Sequence, residues 1–264
     1  MSKENKFLKD MTKGTPWKLL LQFAVPLFIG NIFQQLYNMV DSIIVGNFVG
    51  PNALGAIGTT NSLNFLFFSL VAGLSVGIGI IVAQFFGSNN EEKVKDTIGN
   101  AIWIVLISSV IMACIGFFIA KPVLVLLRTD KVILGDATAY LKVTSIGICC
   151  TGLYNGVSSI LRALGDSKTP LIFLIFASLV NVVLDLWFVL GLGWGVVGAG
   201  VATAFSQFLS AVTCIFYAYK SNTYFRLKKK NLKLNSYIVE KSLRLGIPVA
   251  LQNSLIAFSL IVLQ

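Results

Sequence analysis

Two aspartates, Asp41 and Asp185, lie inside long apolar stretches of the sequence. A carboxylate within a membrane span is costly in lipid, so it normally faces protein or water. Two carboxylates that share a poorly solvated site cannot both ionise cheaply, so one holds a proton or a cation lies between them. These residues therefore predict a site for Na⁺ or H⁺ if the fold brings them together. The alternative is that each acid reaches separately to the outer membrane surface.

Other polar residues accompany each aspartate at helical spacing. Around Asp41 they recur about every 3.5 positions, which places them on one face of a helix. They are Asn31, Gln34, Gln35, Asn38, Asp41 and Ser42, with Tyr37 beside them. Asn181 precedes Asp185 by four positions and shares its face. Pro26 lies before the first group and removes a backbone hydrogen bond, which predicts that the helix can bend there. The alternative is a polar helix–helix contact without a further role.

Four of these apolar stretches place a polar residue at a similar depth. A helix rises about 1.5 Å per residue, so Asp41 and Asp185 each lie about 9 Å from the outer end of their stretch. Thr203 lies about 10 Å deep and Tyr140 about 12 Å deep on the same count. These residues are therefore expected to contribute to one site, in which the oxygens of Asp41, Asn181, Asp185 and Thr203 would suit Na⁺.

The composition indicates what kind of molecule holds this site. The chain has 264 residues, of which 56% are hydrophobic and 12% charged, and its mean hydropathy is +0.81. An average soluble domain is about 25% charged, so a soluble enzyme, a disordered tail and a secreted disulfide scaffold are excluded, and the membrane class remains. The sequence has no histidine and no Walker motif, which excludes histidine-based catalysis and ATP hydrolysis by this chain. We therefore expect a protein that is not an enzyme and carries no cofactor.

The apolar stretches predict an all-α polytopic membrane protein. A helix needs about 20 apolar residues to cross a bilayer core. Six complete spans are predicted, at 17–45, 55–86, 97–120, 132–160, 169–190 and 196–219. A seventh apolar stretch starts near Ser242 and is still apolar at Leu263, so we expect that the span continues beyond Gln264.

The basic residues lie in alternate connections. Segments 1–18, 87–96, 161–168 and 220–244 hold 17 of the 21 Lys and Arg. The positive-inside rule therefore places the N-terminus and segment 220–244 in the cytoplasm, in a plasma (inner) membrane. The run Lys228–Lys230 is interpreted first as a topology determinant, and binding to anionic lipid is the alternative. The net charge of +10 is not expected to bind nucleic acid.

Two further patterns predict how the spans are arranged. The stretches around Pro26 and Pro248 match, with Leu21 opposite Leu243 and Asn31 opposite Asn253. They predict a parallel repeat of six spans, hence an intact protein of twelve spans and about 450 residues. The expected parts are a cytoplasmic segment 1–16, a six-helix lobe 17–219, a cytoplasmic inter-lobe loop 220–241 and the start of a second lobe, helix 7, at 242–264. Ser69, Gly73 and Gly77 recur every four residues, which predicts a face for close helix packing.

Four segments together resemble the multidrug and toxic compound extrusion (MATE) transporters. They are AVPLFIGNIFQQLYNMVDSIIVG at 24–46, LRALGDSKTP at 161–170, NVVLDLWFV at 181–189 and GVVGAGVATAFSQ at 195–207. The resemblance covers the whole chain, as the N-terminal lobe of a bacterial-type, two-lobe fold of twelve helices. It implies that Asp41 is an essential acid, that Asn181, Asp185 and Thr203 complete its cation site, and that Tyr140 neighbours that site. It also implies a hinge at Pro26 and a substrate cavity lined by Gln34, Tyr37 and Asn38.

The resemblance implies a secondary-active antiporter that exports bulky, often cationic organic compounds in exchange for Na⁺ or H⁺. Its expected partners are the lipid bilayer, small drug molecules and the coupling ion, and the complete protein is expected to be a monomer. One alternative is a lipid-linked saccharide flippase of the same superfamily, which would place basic residues in the cavity, where this chain offers only Lys142. Another alternative is a channel or a membrane subunit that does not transport.

Overall fold

The computed structural model describes residues 15–263, and it is built of helices in that part of the chain. Most of the predicted N-terminal segment 1–16 therefore lies outside the described residues. The seven α-helices are α1 Pro16–Phe48, α2 Pro51–Gly87, α3 Glu91–Leu126, α4 Lys131–Ala163, α5 Lys168–Asp185, α6 Gly195–Ser221 and α7 Ser236–Leu263. A π-helix, Leu186–Gly191, continues α5, and two short 3₁₀-helices, Thr223–Phe225 and Lys229–Leu232, lie between α6 and α7.

Six helices, α2 to α7, are long and apolar enough to cross a membrane by length and composition. Among the described residues, α1, which the sequence predicts as the first span at 17–45, does not reach that apolarity, because its polar stripe lowers its mean hydropathy. The predicted all-α membrane class is confirmed, and the helices extend beyond the apolar stretches at several ends. α3 begins at Glu91 instead of near 97, because the Asn90 side chain accepts a hydrogen bond from the Lys93 amide at 3.1 Å and caps the helix. α7 begins at Ser236, six residues before the predicted start at 242, where the Asn235 side chain accepts from the Tyr237 amide at 3.1 Å.

α2 and α4 form the centre of the bundle. Two apolar clusters join them to α3, one around Leu63, Phe67 and Leu141 and the other around Ile78 and Ile98. α4 also packs along α6, where Gly147 lies against Ala204. The central helices therefore hold α6, which carries Thr203, in a defined position.

The small-residue face of α2 packs closely against α7. A Cβ added at Gly73 would overlap the backbone of Ala250, and one at Gly77 would overlap Gly246. On the same face the Ser69 and Ser254 hydroxyl oxygens lie 3.1 Å apart. This confirms the predicted close packing and fixes α7 to α2.

α1 lies at the edge of the bundle and packs mainly on α5. Gly30 of α1 lies beside the side chains of Leu171 and Leu174 on α5. Pro26 is buried and lies inside the continuous helix α1, as Pro248 lies inside α7. Many apolar side chains of α1 remain exposed, among them Phe28, so α1 has few contacts that would resist repacking.

Candidate functional site

Asp41 and Asp185 meet where α1 crosses α5. Both are buried, with 6% of Asp41 and 0% of Asp185 exposed. Their carboxyl groups lie close enough to interact electrostatically, and neither oxygen of Asp185 has a hydrogen-bond partner among the described residues. Asp41 reaches this position from the last third of α1, and Asp185 is the last α-helical residue before the π-helix. The fold thus brings together the two acids on which the predicted site depends.

Thr203 on α6 links the two acidic helices. The Tyr37 hydroxyl donates to Thr203 Oγ1 at 3.4 Å, and Asn181 Nδ2 donates to the same oxygen at 3.5 Å. Tyr37 lies on α1 and Asn181 on α5, so one hydroxyl connects three helices. The Tyr37 hydroxyl thus lies in the group that surrounds the acids, and the predicted role of Tyr37 in a substrate cavity stays a prediction.

Several buried oxygens of this group have no hydrogen-bond donor among the described residues. They are Asp41 Oδ1, Asn181 Oδ1 and both carboxylate oxygens of Asp185. Two ionised carboxylates repel each other and cannot donate to each other, so a bound proton or cation would stabilise this set of oxygens. The side-chain oxygens of Asp41, Asn181 and Asp185 are suitable ligands for Na⁺. The Thr203 oxygen already accepts two hydrogen bonds in this arrangement.

Tyr140 belongs to an apolar cluster on the outer side of the acids. The cluster includes Val45, one turn beyond Asp41 on α1, and Val189, one turn beyond Asp185. Val196 and Ala199 at the start of α6 and Ala53 and Ile57 on α2 also belong to it. Because these side chains are buried, they cover the acid pair on the side that the basic-residue pattern predicts to be outside.

The predicted cavity residues Gln34 and Asn38 lie outside this group. Gln34 is half-buried and Asn38 is exposed, with its carbonyl oxygen accepting from the Ser42 hydroxyl at 2.9 Å. In the described part of the chain neither side chain is hydrogen-bonded to Asp41 or Asp185. They lie on the N-terminal side of Asp41 in the same helix, and their contact with substrate stays a prediction.

Sequence reasoning missed two features near the acids. Gln207 lies one turn after Thr203 on α6, is buried, and leaves its Oε1 without a donor among the described residues. The spacing of Thr203 and Gln207 could have placed both on one face. The π-helix after Asp185 has no comparable signal in the sequence, although π-helical turns often mark functional sites.

The comparison with protein families identifies the fold to which this site belongs. The family model described as MatE matches residues 26–187, more than half of the chain and both aspartates. The chain belongs to the MatE family. The predicted resemblance is therefore confirmed at the level of the family.

Among MatE relatives, the probable multidrug resistance protein YpnP of Bacillus subtilis is 32% identical over 244 residues. That match covers 92% of this chain and 54% of the relative. The chain thus spans about half the length of the curated relatives it matches.

Solved structures of transporters agree with the fold. An outward-facing multidrug resistance MATE family transporter of the MOP superfamily superposes with a TM-score of 0.88 at 26% identity. The match covers 96% of this chain and 56% of that one. A MOP superfamily transporter from Pyrococcus furiosus, described as having a binding pocket of reverse polarity that suggests a different function, matches with the same TM-score, identity and coverage.

Proposed function

We propose that the protein is a secondary-active multidrug efflux antiporter, which exports bulky, often cationic organic compounds in exchange for Na⁺ or H⁺. The observation that carries this proposal is the buried, electrostatically interacting pair of carboxyl groups, Asp41 and Asp185, which has no basic partner among the described residues. Membership in the MatE family and similarity to multidrug resistance proteins support the substrate class.

Binding of the coupling ion is proposed to change how α1 packs. Neutralising the pair removes the repulsion between Asp41 on α1 and Asp185 on α5. Because α1 is held mainly by α5 and contains Pro26, it is the helix that can move with the least loss of packing. Coupling then requires only that the ion and the organic substrate bind differently to the two arrangements of α1.

The proposed topology places the N-terminus and the loop between α6 and α7 in the cytoplasm, within a plasma (inner) membrane. The segregation of basic residues supports this orientation. The coupling ion would then enter from the outer side, past the apolar cluster that contains Tyr140. The complete protein is proposed to act as a monomer.

Replacement of one carboxyl group tests the antiport proposal. Asp41→Asn keeps the shape of the side chain and removes its charge, so we expect export of a fluorescent cation to fall more than tenfold at unchanged protein level in the membrane. The matched control is Asp136→Asn, because Asp136 is an exposed carboxylate on α4. Normal drug resistance in cells that produce the Asp41→Asn variant would refute the assignment.

The identity of the coupling ion requires a separate measurement, because both ions would use the same oxygens. Drug efflux is measured at fixed pH, with and without Na⁺, and then at fixed Na⁺ over a series of pH gradients. Dependence on Na⁺ at fixed pH indicates sodium coupling, and dependence on the pH gradient alone indicates proton coupling.

A lipid-linked saccharide flippase remains the second candidate, favoured by one observation. Lys142 is a basic residue within a span, and its ammonium lies 5.0 Å from the centre of the Phe117 ring. Gradient-driven uptake of a fluorescent cation into inverted vesicles separates antiport from a flippase, and a channel would instead pass ions without any drug.

A further inference from the structure

The loop between α6 and α7, residues 222–235, is fastened to the first turns of α3. Asn231 Nδ2 donates to the Asp96 carboxylate at 2.7 Å, and the Trp103 indole N–H donates to the Leu232 carbonyl at 3.0 Å. Asn100 is fully buried, donating from Nδ2 to the Lys233 carbonyl at 3.3 Å and accepting from the Asn235 amide at 2.8 Å. These bonds hold the loop backbone in one position on α3.

Gly99 makes this close docking possible. A Cβ at that position would overlap the carbonyl group of Asn231. The loop is therefore a preformed surface of the protein, and its basic side chains extend from a fixed backbone.

A polar cavity of about 340 Å³ lies between this loop, α3 and the beginning of α7. Its lining residues are Asp96, Lys230, Lys233, Leu234, Asn235 and Ser236. The cavity thus combines two ammonium groups with a hydroxyl group, an amide and one carboxylate. Such a set suits a phosphate ester whose remaining groups can donate hydrogen bonds.

The loop side of the cavity is rich in basic residues, whereas the facing first turns of α3 carry Glu91, Glu92 and Asp96. Segment 220–244 carries eight Lys and Arg and a single acid, Glu240. The hydrogen bond from Lys230 to Glu92 raises the pKa of Lys230 above its ordinary value, so this ammonium stays charged at neutral pH. Lys233 forms no ion pair with any described residue, so its ammonium is available to an anion.

The cavity lies at the depth of lipid headgroups. α3 has 36 residues and is about 54 Å long, whereas the hydrocarbon core is about 30 Å thick. If α3 is centred in the bilayer, the core begins about eight residues from Glu91, near Gly99, and Asp96 lies just outside it. Trp103, a residue type enriched at membrane interfaces, is fastened to the same loop.

Exposed apolar side chains flank the basic cavity. Leu234 is 64% exposed and Tyr237 is 59% exposed, and both lie beside the lining residues Asn235 and Ser236. Basic side chains next to apolar ones are the combination that binds an anionic membrane surface. A free phosphate ion would not contact the apolar side chains of Leu234 and Tyr237.

We propose that this cavity binds the phosphate headgroup of an anionic phospholipid, with Lys233 holding the phosphate, Lys230 beside it paired with Glu92, and Leu234 contacting the acyl chains. Asp96 would accept a hydrogen bond from a headgroup hydroxyl, so phosphatidylglycerol fits better than a phospholipid without such a donor. The site is separate from the acid pair and does not depend on the proposed antiport.

Native mass spectrometry of the full chain in detergent tests the proposal. The probes are dioleoyl-phosphatidylglycerol and dioleoyl-phosphatidylcholine at equal concentration, and we expect retention of the first to exceed that of the second. Lys233→Gln is expected to lower retention of phosphatidylglycerol about fivefold, the usual contribution of one basic residue at an anionic surface. The loop should remain docked, because Lys233 contributes only its backbone carbonyl to Asn100.

The matched control is Lys229→Gln, which removes the same charge from an exposed residue of the same loop that does not line the cavity. Little change with Lys229→Gln and the fivefold loss with Lys233→Gln support a defined site. Equal losses for the two variants would overturn it in favour of diffuse attraction, as would equal retention of the two lipids by the unaltered chain. Displacement of the lipid by millimolar inorganic phosphate would identify free phosphate as the ligand and overturn the lipid assignment.

Discussion

The contact between α2 and α7 offers the sharpest test of how the bundle is held together. Gly73 lies against the backbone of Ala250, where no side chain can move aside to make room for a methyl group. Gly73→Ala therefore forces the two helices apart. Gly55→Ala, in the same helix, places its Cβ at an ordinary distance of 3.8 Å from the flexible side chain of Ile133 and serves as the control.

The expected magnitude follows from three contributions. Overpacking of a close contact costs about 1 to 3 kcal/mol. A separation of about 1 Å also breaks the hydrogen bond between Ser69 and Ser254, worth about 1 kcal/mol, because their oxygens are already 3.1 Å apart. Replacing a helical glycine by alanine stabilises the folded state by about 0.5 to 1 kcal/mol, which offsets part of this cost. Gly73→Ala should thus destabilise the protein by about 1 to 3.5 kcal/mol, and Gly55→Ala should leave it unchanged or up to about 1 kcal/mol more stable.

Two assays measure this effect. Thermal unfolding in detergent should show a midpoint lowered by about 2 to 10 °C for Gly73→Ala, as expected for a chain of this size. Disulfide formation between Ser69→Cys and Ser254→Cys, with the four native cysteines replaced by serine, should slow when Gly73→Ala is added. If Gly73→Ala and Gly55→Ala behave alike in both assays, the two helices are not in close contact and the reasoning is wrong.

Three further predictions concern the acid pair and the docked loop. Asp185→Asn places an amide beside Asp41 that can donate a hydrogen bond to its carboxylate when no ion is bound. Export measured in vesicles should therefore lose its dependence on the ion gradient. An unchanged dependence would contradict the proposed role of the acid pair. Tyr37→Phe removes one weak hydrogen bond to Thr203, so the stability measured by thermal unfolding should fall by less than about 1 kcal/mol. A loss of stability above about 2 kcal/mol would mean that the hydroxyl has another partner. Asn100→Ala removes the side chain that holds the loop and should accelerate trypsin cleavage after the loop lysines several-fold. The control is Asn155→Ala, because the Asn155 side chain is bonded within its own helix, and this variant should not change the rate of cleavage. Equal cleavage of the two variants would argue against the role of Asn100 in holding the loop.

The helices and the acid pair were predictable from the sequence for simple physical reasons. A bilayer core requires long apolar runs, so each span was visible from its composition. Counting residues from the outer ends placed Asp41 and Asp185 at one depth, and the fold places them side by side. The assignment of Asp41, Asn181, Asp185 and Thr203 to ion coupling stays a prediction.

Long-range contacts were not predictable, because they depend on how the helices pack. The hydrogen bond from Tyr37 to Thr203 joins residues 166 positions apart, and no local pattern indicates it. The docking of the loop on α3 depends on Asn100 and Asn231, two asparagines that look ordinary in the sequence. Helix ends were misjudged for a related reason, since capping residues such as Asn90 extend a helix beyond its apolar run.

The close fit of α7 on α2 also bears on how the protein is made. Gly73 enters the membrane about 180 residues before Ala250 is synthesised, a delay of about 10 to 35 s at ordinary rates of translation. During that interval the groove on α2 has no helix to fill it and must face lipid, another part of the nascent chain or an insertion factor. Ribosome pausing between α2 and α7 would therefore lengthen the period in which this groove can pair with a wrong helix, which makes the order of synthesis part of how the correct packing is reached.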